Sequence, residues 1–430
     1  MVRGPVRGVS RSYGRGMPRS PSSPAFWRSP LRGPWFTSVL GVVLLGGITV
    51  LFVTGLVSYA AYNPNLSPVN DMTPDKGLLG FYLFSWPTNP PWLYRLNQGV
   101  HVTLGITLIP VLLAKLWSVV PKLFTLPPVR SLAHGLERIS LLLLVGGALF
   151  EVTTGVLNVQ LDYIFPGSFY PLHFYGAWVF FAAFVAHAVL RVPMALRNLR
   201  HLHDEEQRPP TEDELVAPDP DPPTVSRRGA LGFVGGGSLV LFATTVGRNF
   251  DEPLRETAVL VPHGGPEPGS GPGGFQINKT AEAVGIDMRE TSGETWRLVV
   301  EGRGRTVRLS RDELLKLPLH SAALPIACVE GWSTSDQWWR GVRLRDLAAL
   351  VGYEEGTAPD VLVESLQRHG AFRHAALRYN QVRDPRSLLA LFANGEDLTP
   401  DHGYPARIIV PAAPGVLNTK WVARMTFGEL

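Results

Sequence analysis

Four apolar segments, each close to the ~20 residues that cross a bilayer as a helix, fill much of the first half of this 430-residue chain: Thr37 to Ala60, Val100 to Val119, Ile139 to Val159 and Phe174 to Leu190. Runs of that length leave no polar face for water, so each must be covered by other helices or by lipid. A fifth, glycine-rich segment runs from Gly229 to Val246. Hydrophobic residues are 45% of the chain and charged residues 18%, and the apolar ones are gathered early rather than spread evenly. The net charge of +4 is modest, and the basic residues flank apolar runs. Anchoring at a lipid bilayer accounts for them and a nucleic-acid partner does not.

Loop charge predicts orientation. Residues 1–33 carry Arg3, Arg7, Arg11, Arg15, Arg19, Arg28 and Arg32 with no acidic residue, which reads as a disordered cytoplasmic tail. Lys115, near the far end of the second segment, and Lys122, Arg130 and Arg138 mark the connection to the third, and Arg191, Arg197, Arg200, Arg227 and Arg228 lie between the fourth and fifth, so both loops are expected inside. Five crossings then put everything after Val246 outside the cytoplasm. The expected domains are a four-helix membrane unit at 34–203, a linker at 204–226, a fifth span at 227–248, a Pro/Gly linker at 249–274 and a soluble domain at 275–430. In that last part, short β-branched runs such as Trp296 to Val300, Asp360 to Glu364 and Ala406 to Val410 alternate with helical stretches such as Arg311 to Leu315 and Leu344 to Val351. The fold class is therefore multi-domain: an all-α transmembrane bundle of four helices plus an anchor helix, followed by an α+β domain. No internal repeat is evident.

Four histidines sit at matched depths. His173 and His187 are fourteen residues apart on one helix, which is ~21 Å of rise with only about 40° of rotation. His101 opens the second segment at its outer end, and His134 falls in the expected first turn of the third helix at its inner end. His101 with His173, and His134 with His187, are candidate axial pairs for an outer and an inner haem. Histidines near membrane edges also anchor at headgroups or bond within a bundle. The sequences RLNQGVH ending at His101 and HFYGAWVFFAAFVAHAVL from His173 resemble bacterial cytochrome b561-type and related dihaem membrane subunits. That resemblance implies one or two haem b groups and electron exchange with quinone, quinol or another carrier.

Cys328 is the only cysteine, which rules out an intrachain disulfide. It stands in the string Ala-Cys-Val-Glu-Gly-Trp-Ser, from Ala327 to Ser333, with Trp338 and Trp339 following. This resembles the sulfite oxidase superfamily, and within it the catalytic subunit of the protein-methionine-sulfoxide reductase. The resemblance implies a Mo-molybdopterin cofactor, with Cys328 as the molybdenum thiolate and Glu330 beside it. A soft thiolate suits that metal. The late stretch from Asn394 to Leu398, then His402 to Arg407 and Asn418 to Trp421, resembles the family's pterin-binding segments. His402, Arg407, Lys420 and Trp421 are thereby candidate cofactor contacts, as are Asn278 and Lys279 at the start of the domain. The residues after Cys328 lack the arginines that hold an oxyanion in sulfite oxidases, and Arg340 is the first cation. The tryptophans at 338 and 339 are candidates for an apolar pocket wall.

Ser226, Arg227 and Arg228 ahead of the fifth segment resemble a twin-arginine export signal, while two arginines also simply anchor a helix. The reading is a membrane-bound molybdopterin oxidoreductase acting outside the cytoplasm on a small-molecule or protein-bound S- or N-oxide. Two alternatives stay open: a cytochrome whose outer domain binds no molybdenum, and a molybdenum enzyme on a haem-free anchor.

Overall fold

The computed structural model describes residues 20–22, 26–63, 84–124, 126, 131–159, 169–200, 221–250, 253–260, 271–354 and 356–430. Much of the basic tail, most of the linker at 204–226 and part of the linker at 249–274 lie outside them. Helix α1 (Pro34–Tyr62) starts on a proline and ends at Asn63, whose left-handed backbone returns its N–H to the Tyr59 carbonyl at 2.8 Å. The second apolar segment, expected as one span, is two helices, α2 (Leu93–Thr107) and α3 (Ile109–Leu123), bent by 41°. Pro110 explains the break, because it has no N–H to give the Ile106 carbonyl. Helix α4 (Leu132–Asn158) begins where Ser131 Oγ accepts the His134 N–H at 3.2 Å, so His134 does stand in a first helical turn. Helices α5 (Phe169–Arg200) and α6 (Arg227–Val246) complete the bundle. Among the described residues four helices are long and apolar enough to cross a membrane, or five if the bent pair is one span.

Helix α1 packs on α2, α3 and α5, α4 packs on α5, and α6 crosses α2 and α3. Phe36, Leu40, Leu44, Leu112, Phe180 and Phe184 form the buried core at one end. The other end holds His101 and His173. Here the expectation of no repeat is corrected: Gly46, Gly47, Thr54 and Gly55 of α1 recur in α4 as Gly146, Gly147, Thr154 and Gly155. Their contacts recur too. Gly47 faces Leu108, seven residues after His101, and Gly147 faces Phe180, seven after His173. Gly55 faces the His101 ring, and Gly155 the His173 ring. The two helix pairs α1/α2 and α4/α5 are versions of one unit, joined through their histidine ends.

The C-terminal part carries β1 (Leu298–Gly302), β2 (Arg305–Leu309), α7 (Arg311–Leu315), β3 (His320–Leu324), β4 (Gln337–Arg343), α8 (Leu344–Leu350), β5 (Val361–Ser365), β6 (His374–Leu377), α9 (Tyr379–Arg383), β7 (Leu388–Ala393), β8 (Glu396–Asp397), β9 (Arg407–Ile409) and β10 (Val422–Phe427). They form two five-stranded sheets. One runs β2-β1-β10-β5-β6, and the other β3-β4-β7-β8 with β9 beside β7. Helix α7 begins in a full capping box, Ser310 with Glu313, which is why its expected and observed bounds coincide. Trp338 and Trp339 alternate on β4 and so face opposite ways. Trp339 is wholly buried with its indole N–H on the Leu324 carbonyl at 2.9 Å, while Trp338 is exposed; the expected pocket wall is core on one side and solvent on the other.

Gly341 marks a register shift between β4 and β7. A methyl there would run into the Leu389 carbonyl and lie 2.7 Å from Ala390 Cα. Gly341→Ala is expected to cost about 1–3 kcal/mol by overpacking, read as a lower melting temperature of the C-terminal part.

The two parts touch through specific contacts. Trp86, ahead of α2, gives its indole N–H to the Ala412 carbonyl and accepts from Asn380 Nδ2, both at 2.7 Å. Arg386 reaches the Thr88 carbonyl at 3.1 Å. Gln98 of α2 donates to the Val329 carbonyl, and Val102 one turn on fits against Gly331.

Candidate functional site

Cys328 lies in a tight loop closed by its own N–H to the Trp332 carbonyl at 2.8 Å and by a bridge between Ala327 and Ser333. Gly331 turns the loop with φ of 86°, a conformation that favours glycine. A side chain there would also come within 2.6 Å of Val102. The thiol is 2% exposed and its Sγ stands 3.1 Å from Glu330 Oε2, which also accepts the Trp332 indole N–H at 2.9 Å. Burial, and then the Glu330 charge, push the thiol well above its ordinary value. Burial likewise raises the Glu330 carboxyl, against the lowering pull of its Cys328 and Trp332 hydrogen bonds and of nearby Lys279 and Arg248. A thiol in such a place ionises when a metal takes the proton's position.

A cationic wall stands beyond the loop. Lys279 donates to the Ala371 carbonyl at 2.7 Å, and burial lowers its ammonium to about 8. Lys420 bonds the carbonyls of Lys279 and Asp401, both at 2.7 Å, and burial with Arg407 and Lys279 nearby pushes it well down. Arg407, 2% exposed, gives Nη1 to the His402 carbonyl at 3.0 Å and Nη2 to Asn418 at 3.3 Å, and burial lowers it to about 9. Arg407 Nε, Asn418 Nδ2, Thr419 Oγ1 and Ser333 Oγ are buried without a hydrogen-bond partner. Crowded cations and orphaned donors are the surroundings an anionic, phosphate-bearing cofactor satisfies, so this donor set fits a molybdopterin.

Two candidate contacts have other work. His402 is buried with Nδ1 on Thr399 Oγ1 at 2.8 Å and Nε2 on the Phe275 carbonyl at 3.0 Å; burial lowers it to about 4. It is a neutral strut, with no free nitrogen for a phosphate. Trp421 is wholly buried in a small cluster with Ala281 and Val284, its indole on the Pro400 carbonyl at 2.7 Å. Asn278 is half-buried beside Lys279.

His101 and His173 face each other with ring centres 6.3 Å apart and planes at 87°. His101 Nδ1 is held by the Leu51 carbonyl at 3.1 Å and Thr54 Oγ1 at 3.0 Å. His173 Nδ1 is held by Thr154 Oγ1 and Glu151 Oε2, both at 3.1 Å. With each Nδ1 engaged, Nε2 is the nitrogen left for a ligand. Two imidazoles sharing one metal at roughly 2 Å each would have centres about 6 Å apart. Both rings line an apolar cavity of about 220 Å³ that runs from Leu44 and Phe180 up to Tyr62, Gln98 and Val329. These residues fit a haem. No group of three His, Cys, Asp or Glu side chains among the described residues is placed to hold a metal ion, so a metal in either place would bring most of its ligands with it. His134 and His187 are half-buried and do not line this cavity.

Sequence reasoning missed the groups that orient the histidines, Thr54, Thr154 and Glu151. The Thr-Gly pairs repeated at a fixed offset were the available signal. It also missed Arg248, which stands too far from Cys328 in the chain for any motif to join them.

Residues 285–429 match the model of the family described as oxidoreductase molybdopterin binding domain. The mitochondrial sulfite oxidase of Rattus norvegicus is 32% identical over 158 residues, 31% of this chain and 29% of that protein. An uncharacterized oxidoreductase of Bacillus subtilis is 32% identical over 139 residues, 31% of this chain and 65% of its own length. A nitrate reductase of Hordeum vulgare is 40% identical over 94 residues, 20% of this chain and 10% of that protein. The chain thus spans less than a third of the sulfite oxidase it matches. Its C-terminal part is a molybdopterin-binding oxidoreductase domain of the sulfite oxidase superfamily.

Proposed function

We propose that the chain is a membrane-bound molybdopterin-dependent oxidoreductase whose helical part carries b-type haem and exchanges electrons with quinone or quinol. The carrying observation is that Val329, the residue after Cys328, lines the same cavity as His101 and His173. Molybdenum on a pterin supplies two-electron chemistry, of the oxygen-atom-transfer kind, and haem supplies single-electron steps. Cys328 holds the molybdenum. Glu330, hydrogen-bonded to both Cys328 and Trp332, holds or passes a proton beside it. Lys279, Arg407 and Lys420, with Asn278, line the pterin side, and His101 with His173 hold haem.

The domain faces out of the cytoplasm on the loop-charge reading, with Arg227 and Arg228 at the head of α6 inside. Substrates are S- or N-oxides, as the likeness of the Cys328 string to the methionine-sulfoxide reductase subunit implies. The test is molybdenum and haem per polypeptide on one detergent-purified sample. About one of each, with a second haem if His134 and His187 also bind one, is the expected result. Haem without molybdenum would leave a cytochrome, and molybdenum without haem would make the helices an anchor.

A further inference from the structure

Arg248 follows α6 and lies outside the matched family domain. It is 1% exposed, and all three guanidinium nitrogens are buried without a hydrogen-bond partner. A guanidinium carries five donors and stays charged, so leaving all of them unmet in a buried place is costly. Its backbone accepts the Ser333 N–H at 3.3 Å, which fixes it on the Cys328 loop, and its charge acts on Glu330. Ser333 Oγ, another orphaned buried donor, is on the same stretch. The surroundings hold Arg248 in place: Arg95 of α2 donates to the Asn249 carbonyl at 3.0 Å, the Asn249 side chain packs on Gly99, and Arg255 donates to the Ser333 carbonyl.

We infer that Arg248 is an anion-binding residue of the Cys328 site, supplied by the end of the last membrane helix, whose ligand is an oxygen anion of the phosphate, sulfate or carboxylate kind. Glu330 alone does not satisfy it, since no hydrogen bond joins the two side chains. A planar fork with its nitrogens free matches a tetrahedral or carboxylate oxyanion with two parallel bonds. The loop after Cys328 offers no cation of its own before Arg340. Helix α6 is then part of the binding site rather than a tether. The ligand is either an anionic substrate or the phosphate of the cofactor. The inference rests on the molybdenum reading only for what the neighbouring thiolate holds.

The test is calorimetric titration of the full chain in detergent with inorganic sulfate, for the wild type, Arg248→Gln and Arg248→Lys, with molybdenum per chain measured on each sample. Loss of the fork and charge in Arg248→Gln should weaken sulfate binding at least about tenfold. Arg248→Lys, which keeps the charge, should fall between. If sulfate affinity falls and molybdenum content is unchanged, the anion is a substrate's; if molybdenum content falls and the molybdenum-loaded wild type takes up no sulfate there, the anion is the cofactor's phosphate. Sulfate affinity and molybdenum content both unchanged in Arg248→Gln would overturn the inference and leave Arg248 a counter-charge to Glu330. Should Arg248→Gln not fold, unchanged sulfate affinity and molybdenum content in Arg248→Lys would overturn it equally. A wild type without molybdenum would defeat the proposed function, while its sulfate titration against the variants would still decide the role of Arg248.

Discussion

Cys328→Ser is expected to abolish turnover of sulfoxide and N-oxide substrates, by at least about a thousandfold, roughly 4 kcal/mol of barrier. Serine is nearly isosteric, and at a site 2% exposed it leaves the packing of Trp332 and Ala327 almost unchanged. What it removes is a soft, polarisable ligand and an acid that a metal can deprotonate. The loop keeps its shape, because its closing bonds are backbone ones and Gly331 still turns it. Melting temperature and haem absorbance should therefore stay within error of the wild type while activity per chain collapses. Molybdenum content separates two routes to the same loss: retained metal means that the pterin wall of Lys279, Arg407 and Lys420 holds the cofactor without the thiolate, and lost metal means that the thiolate is needed for retention. Activity above a tenth of the wild type with molybdenum in place would sink the assignment of Cys328.

The parts of this molecule that were legible in sequence are those where chemistry is local. The capping box at Ser310 and Glu313 fixes α7 within a few residues, and the string around Cys328 carries its own meaning. The bend at Leu108 was written in Pro110 but masked by apolar residues on both sides, because hydropathy measures length and not the hydrogen-bond ladder. The repeat was hidden for a related reason: most positions along these apolar helices drift among Leu, Val, Ile and Phe, and the signal is left to a few glycines and threonines, of which Gly47, Thr54 and Gly55 and their counterparts keep the same contacts. His402 and Trp421 look like ligand contacts by residue type, yet burial uses up their polar atoms within the fold. Arg248 shows the opposite failure. Nothing near it in sequence points to Cys328, and only the packing of α2 against the segment after α6 brings it there.

His173→Ala and His101→Ala are each expected to cut haem per chain to under about a tenth, leaving molybdenum content unchanged. One remaining imidazole in an apolar cavity would hold a haem iron with half of its protein ligands, and no group of three His, Cys, Asp or Glu among the described residues is placed to hold a metal in its stead. Cys328 and the cationic wall belong to a domain with its own two sheets, so a metal centre there would not depend on the histidines. Turnover driven by a soluble dye that reduces molybdenum directly should survive, and turnover driven by quinol should not. Glu151 refines the expectation. It stands where the first repeat has Leu51, with Oε2 at 3.1 Å from His173 Nδ1 and Oε1 buried without a partner, and Gly176 leaves the room it needs. An ionised carboxyl on that nitrogen would make the imidazole a stronger donor and favour oxidised iron. Glu151→Gln should keep the haem and raise its midpoint potential, measured by optical redox titration. An unchanged potential in Glu151→Gln with haem retained would show that Glu151 adds no charge to the pair, and full haem content in His173→Ala would show that the iron is held by other residues and that this facing pair belongs only to the packing of the bundle.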